Sequence, residues 1–97
     1  MSGIGGPRVT LFTTGPECSL CERTRADLDR LARVLAFRLE VVDLRDRPER
    51  ILDYALRAPV VHVDGRLAAE GRIEPSTLES ALRNAGAAPA AGGGGRG

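Results

Sequence analysis

The feature that most constrains this chain is Cys18-Ser19-Leu20-Cys21, which carries both of its cysteines. A β-rich alternating run, Arg8 to Thr13, precedes it, and Gly15-Pro16 breaks that run. Behind it, Leu20, Cys21, Thr24, Leu28, Leu31 and Leu35 recur at steps of three and four, the period of one helix face. A Cys-x-x-Cys set where a strand turns into a helix reads as a redox motif. The first turn of a helix leaves backbone N–H groups unpaired and carries partial positive charge. A cysteine placed there becomes a thiolate near neutral pH. Cys18 is therefore the expected nucleophile. Cys21, one turn further in, is the expected resolving thiol.

The remaining elements follow in order. Phe37, Leu39 and Val41 alternate with Arg38, Glu40 and Val42, predicting a second strand at a sheet edge. Asp43 to Arg47 reads as a polar loop. Pro48 suits the first position of a short second helix carrying Ile51, Leu52, Ala55 and Leu56. Ala58-Pro59 ends that helix, and Val60 to Val63 is a third strand. Asp64-Gly65 is a two-residue hairpin turn leading into Arg66 to Glu70. Pro75 opens a last helix with an apolar stripe at Leu78, Ala81, Leu82 and Ala85. Arg23, Arg25, Asp27, Asp29, Arg30 and Arg33 read as the solvated face of the first helix. The predicted order is β-α-β-α-β-β-α, with a right-handed parallel first crossover and an antiparallel final hairpin. Residues 1–7 read as a flexible arm, 8–85 as one domain and 86–97 as a Gly/Ala-rich tail too poor in apolar surface to order itself.

Composition excludes several classes of function. The formal charge is +1, with 14 arginines, no lysine and 13 acids, so no basic footprint for nucleic acid exists. No apolar run reaches membrane-spanning length, and the N-terminus lacks the pattern of a signal peptide. Two cysteines this close cannot staple a small secreted scaffold, so a reducing, cytoplasmic setting is expected; a monomer is expected as well.

Together, Leu11-Phe12-Thr13, Cys18-Ser-Leu-Cys21, Pro59-Val60, Asp64-Gly65 and Gly71 resemble the small bacterial glutaredoxin-like proteins of the thioredoxin superfamily. The likeness covers about Arg8 to Ala85. It implies an α/β, glutaredoxin-type thioredoxin-like fold: a four-stranded mixed sheet of order 2-1-3-4 flanked by three helices. The first and last helices would share one face. It also implies a cis peptide before Pro59, and a substrate strand lying along the Ala58 backbone, as β-augmentation does. The activity implied is thiol–disulfide exchange by Cys18 and Cys21. No bound cofactor is expected beyond an external thiol such as glutathione, and the partner is a disulfide-bearing protein or a thiol. The chain departs from glutaredoxins in lacking their upstream lysine, and Gly71-Arg72-Ile73-Glu74 replaces their doubled glycine and acid. Weak glutathione-dependent activity is therefore expected, with Arg57 or Arg72 as substitute partners for a carboxylate.

Two other uses of a cysteine pair compete with thiol–disulfide exchange. A zinc site needs four ligands, and only His62 is present to join the two thiolates. An iron–sulfur cluster carried between two chains by Cys18 and Cys21 is the alternative function, because some glutaredoxins with serine after the first cysteine do this. His62 itself reads as a packed or surface strand residue. Glu17, beside the nucleophile, should oppose thiolate formation, and Arg57 would counter it if the fold brought it near.

Overall fold

A computed structural model of the chain describes residues 6–15, 17–49, 54 and 57–90. The elements are β1 (Arg8–Thr13), α1 (Ser19–Leu31), β2 (Arg38–Asp43), a 3-10 turn (Leu44–Asp46), β3 (Val60–Val63), β4 (Arg66–Glu70) and α2 (Pro75–Asn84). Helical backbone is also described at Pro48, Glu49 and Tyr54. The rest of the expected second helix, Pro16 and the outer parts of both tails lie outside the described residues.

The four strands form one mixed sheet in the order β2-β1-β3-β4. β1 runs parallel to β2 and antiparallel to β3, and β3 is antiparallel to β4. This is the order expected from the resemblance, and β2 holds the edge that its polar face predicted. The β3–β4 hairpin turns at Asp64 and Gly65, both at positive φ (52° and 83°), as a two-residue turn of this kind requires. Asp64 Oδ1 also accepts the Arg8 N–H at 3.0 Å, which ties the turn to the start of β1.

One sheet face carries Val9, Leu11, Val61 and Val63, packed with Leu28 of α1 and Leu78 and Leu82 of α2. The first and last helices thus share a face, as expected. The opposite face has a smaller cluster of Phe12, Leu44 and Val60 with Tyr54 and Ala58 against it. His62 lies on that side, edge-on to Phe12 (5.1 Å) and Tyr54 (6.0 Å).

Three expectations need correction. α1 stops at Leu31 with Ala32 as its C-cap, short of Leu35. Leu35 instead bridges to Pro89, and Val34 is exposed. The carbonyl of Ala88 accepts the Ala36 N–H at 2.7 Å, and the Ala90 N–H donates to Val34 at 3.0 Å. The segment after Gly86, expected as tail, is therefore hydrogen-bonded as far as Ala90, and Ala87 packs on the core. Likewise, Pro7 at the end of the arm is buried, and its carbonyl accepts the Arg38 N–H at 2.9 Å. In both places backbone pairing adds to the burial of one small side chain. Third, Asp27, assigned to the solvated face, is only 3% exposed. Its Oδ1 is bonded to Arg30, and its Oδ2 has no hydrogen-bond partner among the described residues.

Candidate active site

β1 ends at Thr13, and its side chain begins the site. Thr13 is nearly buried, and its Oγ1 accepts the Gly15 N–H at 3.1 Å. Gly15 sits at φ +110°, a conformation that L side chains rarely adopt. Its carbonyl then accepts the Cys18 N–H at 3.1 Å. This turn delivers Cys18 to the N-cap of α1, where its backbone is extended (φ −86°, ψ 102°) and its carbonyl takes the first helical bond, from Glu22, at 3.0 Å. Cys18 and Cys21 are joined as a disulfide with their Cα atoms 5.2 Å apart. The Cys18 Sγ also accepts the Cys21 N–H at 3.1 Å, so sulfur serves as the helix cap. The two cysteines differ in access. Cys18 is half-buried, whereas Cys21 is 1% exposed.

The second part of the site comes from the start of β3. Phe12 and Val60 are register partners, so Ala58-Pro59 lies at the end of the sheet from which the Thr13–Cys18 turn emerges. The Ala58–Pro59 peptide is cis, as the resemblance implied. The Gly71 N–H is shared between the carbonyls of Pro59 (2.8 Å) and Arg57 (3.0 Å), which secures this segment to the end of β4. Among the described residues, Ala58 itself makes no backbone hydrogen bond. Arg57, expected near a substrate, is engaged on the chain. Its Nε lies 3.1 Å from Glu70 Oε1, and its guanidinium lies 5.2 Å from the centre of the Tyr54 ring.

A third group was not identified from sequence. Asp43 pairs in register with Thr13, so the end of β2 reaches the same corner. Asp43 accepts from the Arg45 backbone N–H at 2.9 Å and from its Nε and Nη2 at 3.0 and 2.6 Å, a forked ion pair. The hydrogen bonds from the Arg45 side chain and backbone hold the Asp43 carboxyl below the usual carboxylate range, and Asp43 in turn raises Arg45. The clamped guanidinium lies on Gly15: a methyl group built there would stand 2.8 Å from Arg45 Cζ and 3.0 Å from Nε. The Asp43-x-Arg45 spacing, which suits a side chain capping the N–H two residues on, was the available signal. Its destination against Gly15 had none.

Leu20, Arg23 and Thr24 of α1 face Arg72, Ile73 and Glu74 across a small pocket beside the start of the helix. Among the described residues, no group of three or more His, Cys, Asp or Glu side chains could hold a metal ion, and no helix is long and apolar enough to cross a membrane.

Residues 8–83 match the family model described as Glutaredoxin-like domain (DUF836). The chain belongs to this glutaredoxin-like family. Its fold is similar to that of solved thioredoxins. A point mutant of thioredoxin from Halobacterium salinarum superposes with a TM-score of 0.62 at 17% identity, over 84% of this chain and 75% of that one. Mitochondrial thioredoxin 3 from Saccharomyces cerevisiae, in its oxidized form, gives 0.59 at 19% identity, over 82% and 79%. At these identities the likeness establishes the thioredoxin-like fold of this glutaredoxin-like chain. A comparison with curated proteins found no match. The family, the fold and the linked cysteine pair together indicate a redox function.

Proposed function

We propose that the chain is a dithiol–disulfide oxidoreductase that reduces protein or peptide disulfides. The observation that carries this reading is the asymmetry of the cysteine pair: Cys18 is the accessible N-cap with its sulfur on the Cys21 N–H, and Cys21 is buried. In the reduced protein the Cys18 thiolate attacks one sulfur of the substrate disulfide. A Cys18–substrate disulfide forms, and the other substrate sulfur leaves as a thiolate that takes up a proton. Cys21, losing its own proton, then attacks the Cys18 sulfur. The Cys18–Cys21 disulfide forms, and the second substrate sulfur leaves as a thiol. Two electrons pass from the dithiol to the substrate, and an external thiol returns the enzyme to its reduced form.

Substrate orientation is assigned to the Ala58-Pro59 segment. That segment lies at the end of the sheet from which the Thr13–Cys18 turn emerges, so an extended peptide beside Cys18 would pair along the Ala58 backbone. Glutathione is the poorer substrate in this reading. Arg57 is shared with Glu70 and Tyr54, an exposed pairing that a ligand carboxylate would have to displace at a modest cost. The test compares turnover of a protein disulfide with that of a glutathione mixed disulfide, using one anaerobic preparation of wild type and Cys18→Ser. Faster turnover of the protein disulfide, abolished by Cys18→Ser, is expected. A brown protein with visible absorbance and no exchange activity would instead support cluster carriage.

A further inference from the structure

The two halves of the corner beside Cys18 are joined by one side chain. Arg45 is fixed from below by the fork to Asp43, with contacts of 2.6–3.1 Å. Above it lies the Gly15 backbone, close enough that any Cβ there would collide with the guanidinium. The Gly15 carbonyl holds the Cys18 N–H, so the guanidinium lies one residue contact and one hydrogen bond from the nucleophile. Glu17 stands next to Cys18 in sequence, exposed, and its charge acts on Arg45. A carboxylate beside a thiol disfavours the thiolate, and an opposing cation favours it.

We propose that Arg45 is a positioning residue for the exchange reaction: clamped by Asp43, it braces the Gly15 turn that presents Cys18 and offsets the Glu17 carboxylate beside the nucleophile. The inference rests on the oxidoreductase reading and deepens it. The charged groups around this corner are Glu17 before the thiol, Glu22 in the first turn of α1, Asp43 at the end of β2, and Arg45 and Asp46 in the 3-10 turn. Arg57, three residues before β3, is paired with Glu70. Arg23, Arg72 and Glu74 line the pocket beside the start of α1; among the described residues, Arg45 is the cation with both a fixed geometry and a contact with the loop. Asp43 balances part of its charge, and Glu17 balances more, so the expected influence on Cys18 is moderate and sensitive to salt.

The test uses reduced full-length protein in a Cys21→Ser background, which leaves Cys18 as the only thiol. The readout is the rate of iodoacetamide alkylation at neutral pH, in low and high salt. Arg45→Met is expected to slow alkylation about three- to tenfold at low salt, the range one nearby unit charge produces. Arg45→Lys, which keeps the charge and loses the fork, should recover part of the loss. Glu17→Gln should speed alkylation more in the Arg45→Met protein than in the parent, and high salt should narrow the gap between parent and Arg45→Met. Arg83→Gln, which breaks a remote surface pair with Glu79, serves as the control and should change nothing. Thermal unfolding identifies any variant that does not fold; if Arg45→Met fails, the same comparison is read on Arg45→Lys. Parental rates in Arg45→Met, or strictly additive effects of the Glu17 and Arg45 changes, would overturn the proposal. A parent whose Cys18 reacts no faster than a free cysteine, in a wild type without turnover, would overturn the oxidoreductase reading instead.

Discussion

The Cys21 N–H donates to the Cys18 Sγ across 3.1 Å, making the sulfur of one cysteine the cap of the helix that carries the other. A helix N-terminus stabilises negative charge at its cap. The same donor is therefore in place to hold a Cys18 thiolate once the disulfide is reduced. On the proposed reading, the reactivity of Cys18 and the start of α1 have a single physical origin.

Gly15 is the position where local backbone and tertiary contact make the same demand. At φ +110°, with Arg45 against its Cα, it tolerates no Cβ without strain or displacement. Gly15→Ala is expected to destabilise the fold by about 1–3 kcal/mol and to slow exchange, because Cys18 loses its fixed approach to the cap. Chemical denaturation and turnover of the same variant measure both effects. A fully stable, fully active Gly15→Ala protein would contradict the close packing described.

The Asp43–Arg45 fork has a defined pH dependence. Asp43 has its folded pKa lowered, first by the Arg45 side-chain hydrogen bond. The unfolded chain holds that proton more tightly, so the contribution to stability is full above the usual carboxylate value. It is lost as pH falls through the lowered folded value. Wild type should lose thermal stability on acidification more steeply than Asp43→Asn below the usual carboxylate range. Unfolding midpoints across an acid series, at low salt, read this directly. Parallel curves would contradict it.

Much of the architecture was legible because its signals are local. Asp64-Gly65 fixes a hairpin within two residues, Pro75 opens α2, and the strand-break-helix sequence around Gly15 and Cys18 marks the site. What escaped was set by pairing across distance. Leu35 continues the helical period of α1, yet Pro89 and Ala88 draw that segment out of the helix. Asp27 belongs to a polar series, yet packing buries it. Arg45 reaches Gly15 only because β1 and β2 are parallel in the register Thr13 to Asp43. No local pattern encodes that contact.

Arg57 offers a test of glutathione discrimination. Its guanidinium is held by Glu70 at 3.1 Å, with both side chains partly in solvent. Glu70→Gln should release it to a ligand carboxylate and improve glutathione-coupled turnover about two- to fivefold, a modest gain because an exposed pair is worth little. Arg57→Leu should remove the gain in the double variant. Steady-state rates against glutathione concentration measure both, and an unchanged Glu70→Gln profile would exclude Arg57 from the ligand site.

The most direct test of the central claim is to trap the mixed disulfide. Reduced Cys21→Ser protein is mixed with a peptide disulfide, and the adduct is mapped by mass spectrometry. A stable one-to-one adduct at Cys18 is expected, with none on Cys18→Ser at matched times and only transient adduct on wild type as Cys21 resolves it. Equal trapping at Cys21 in the Cys18→Ser protein, or no adduct on either variant, would contradict it.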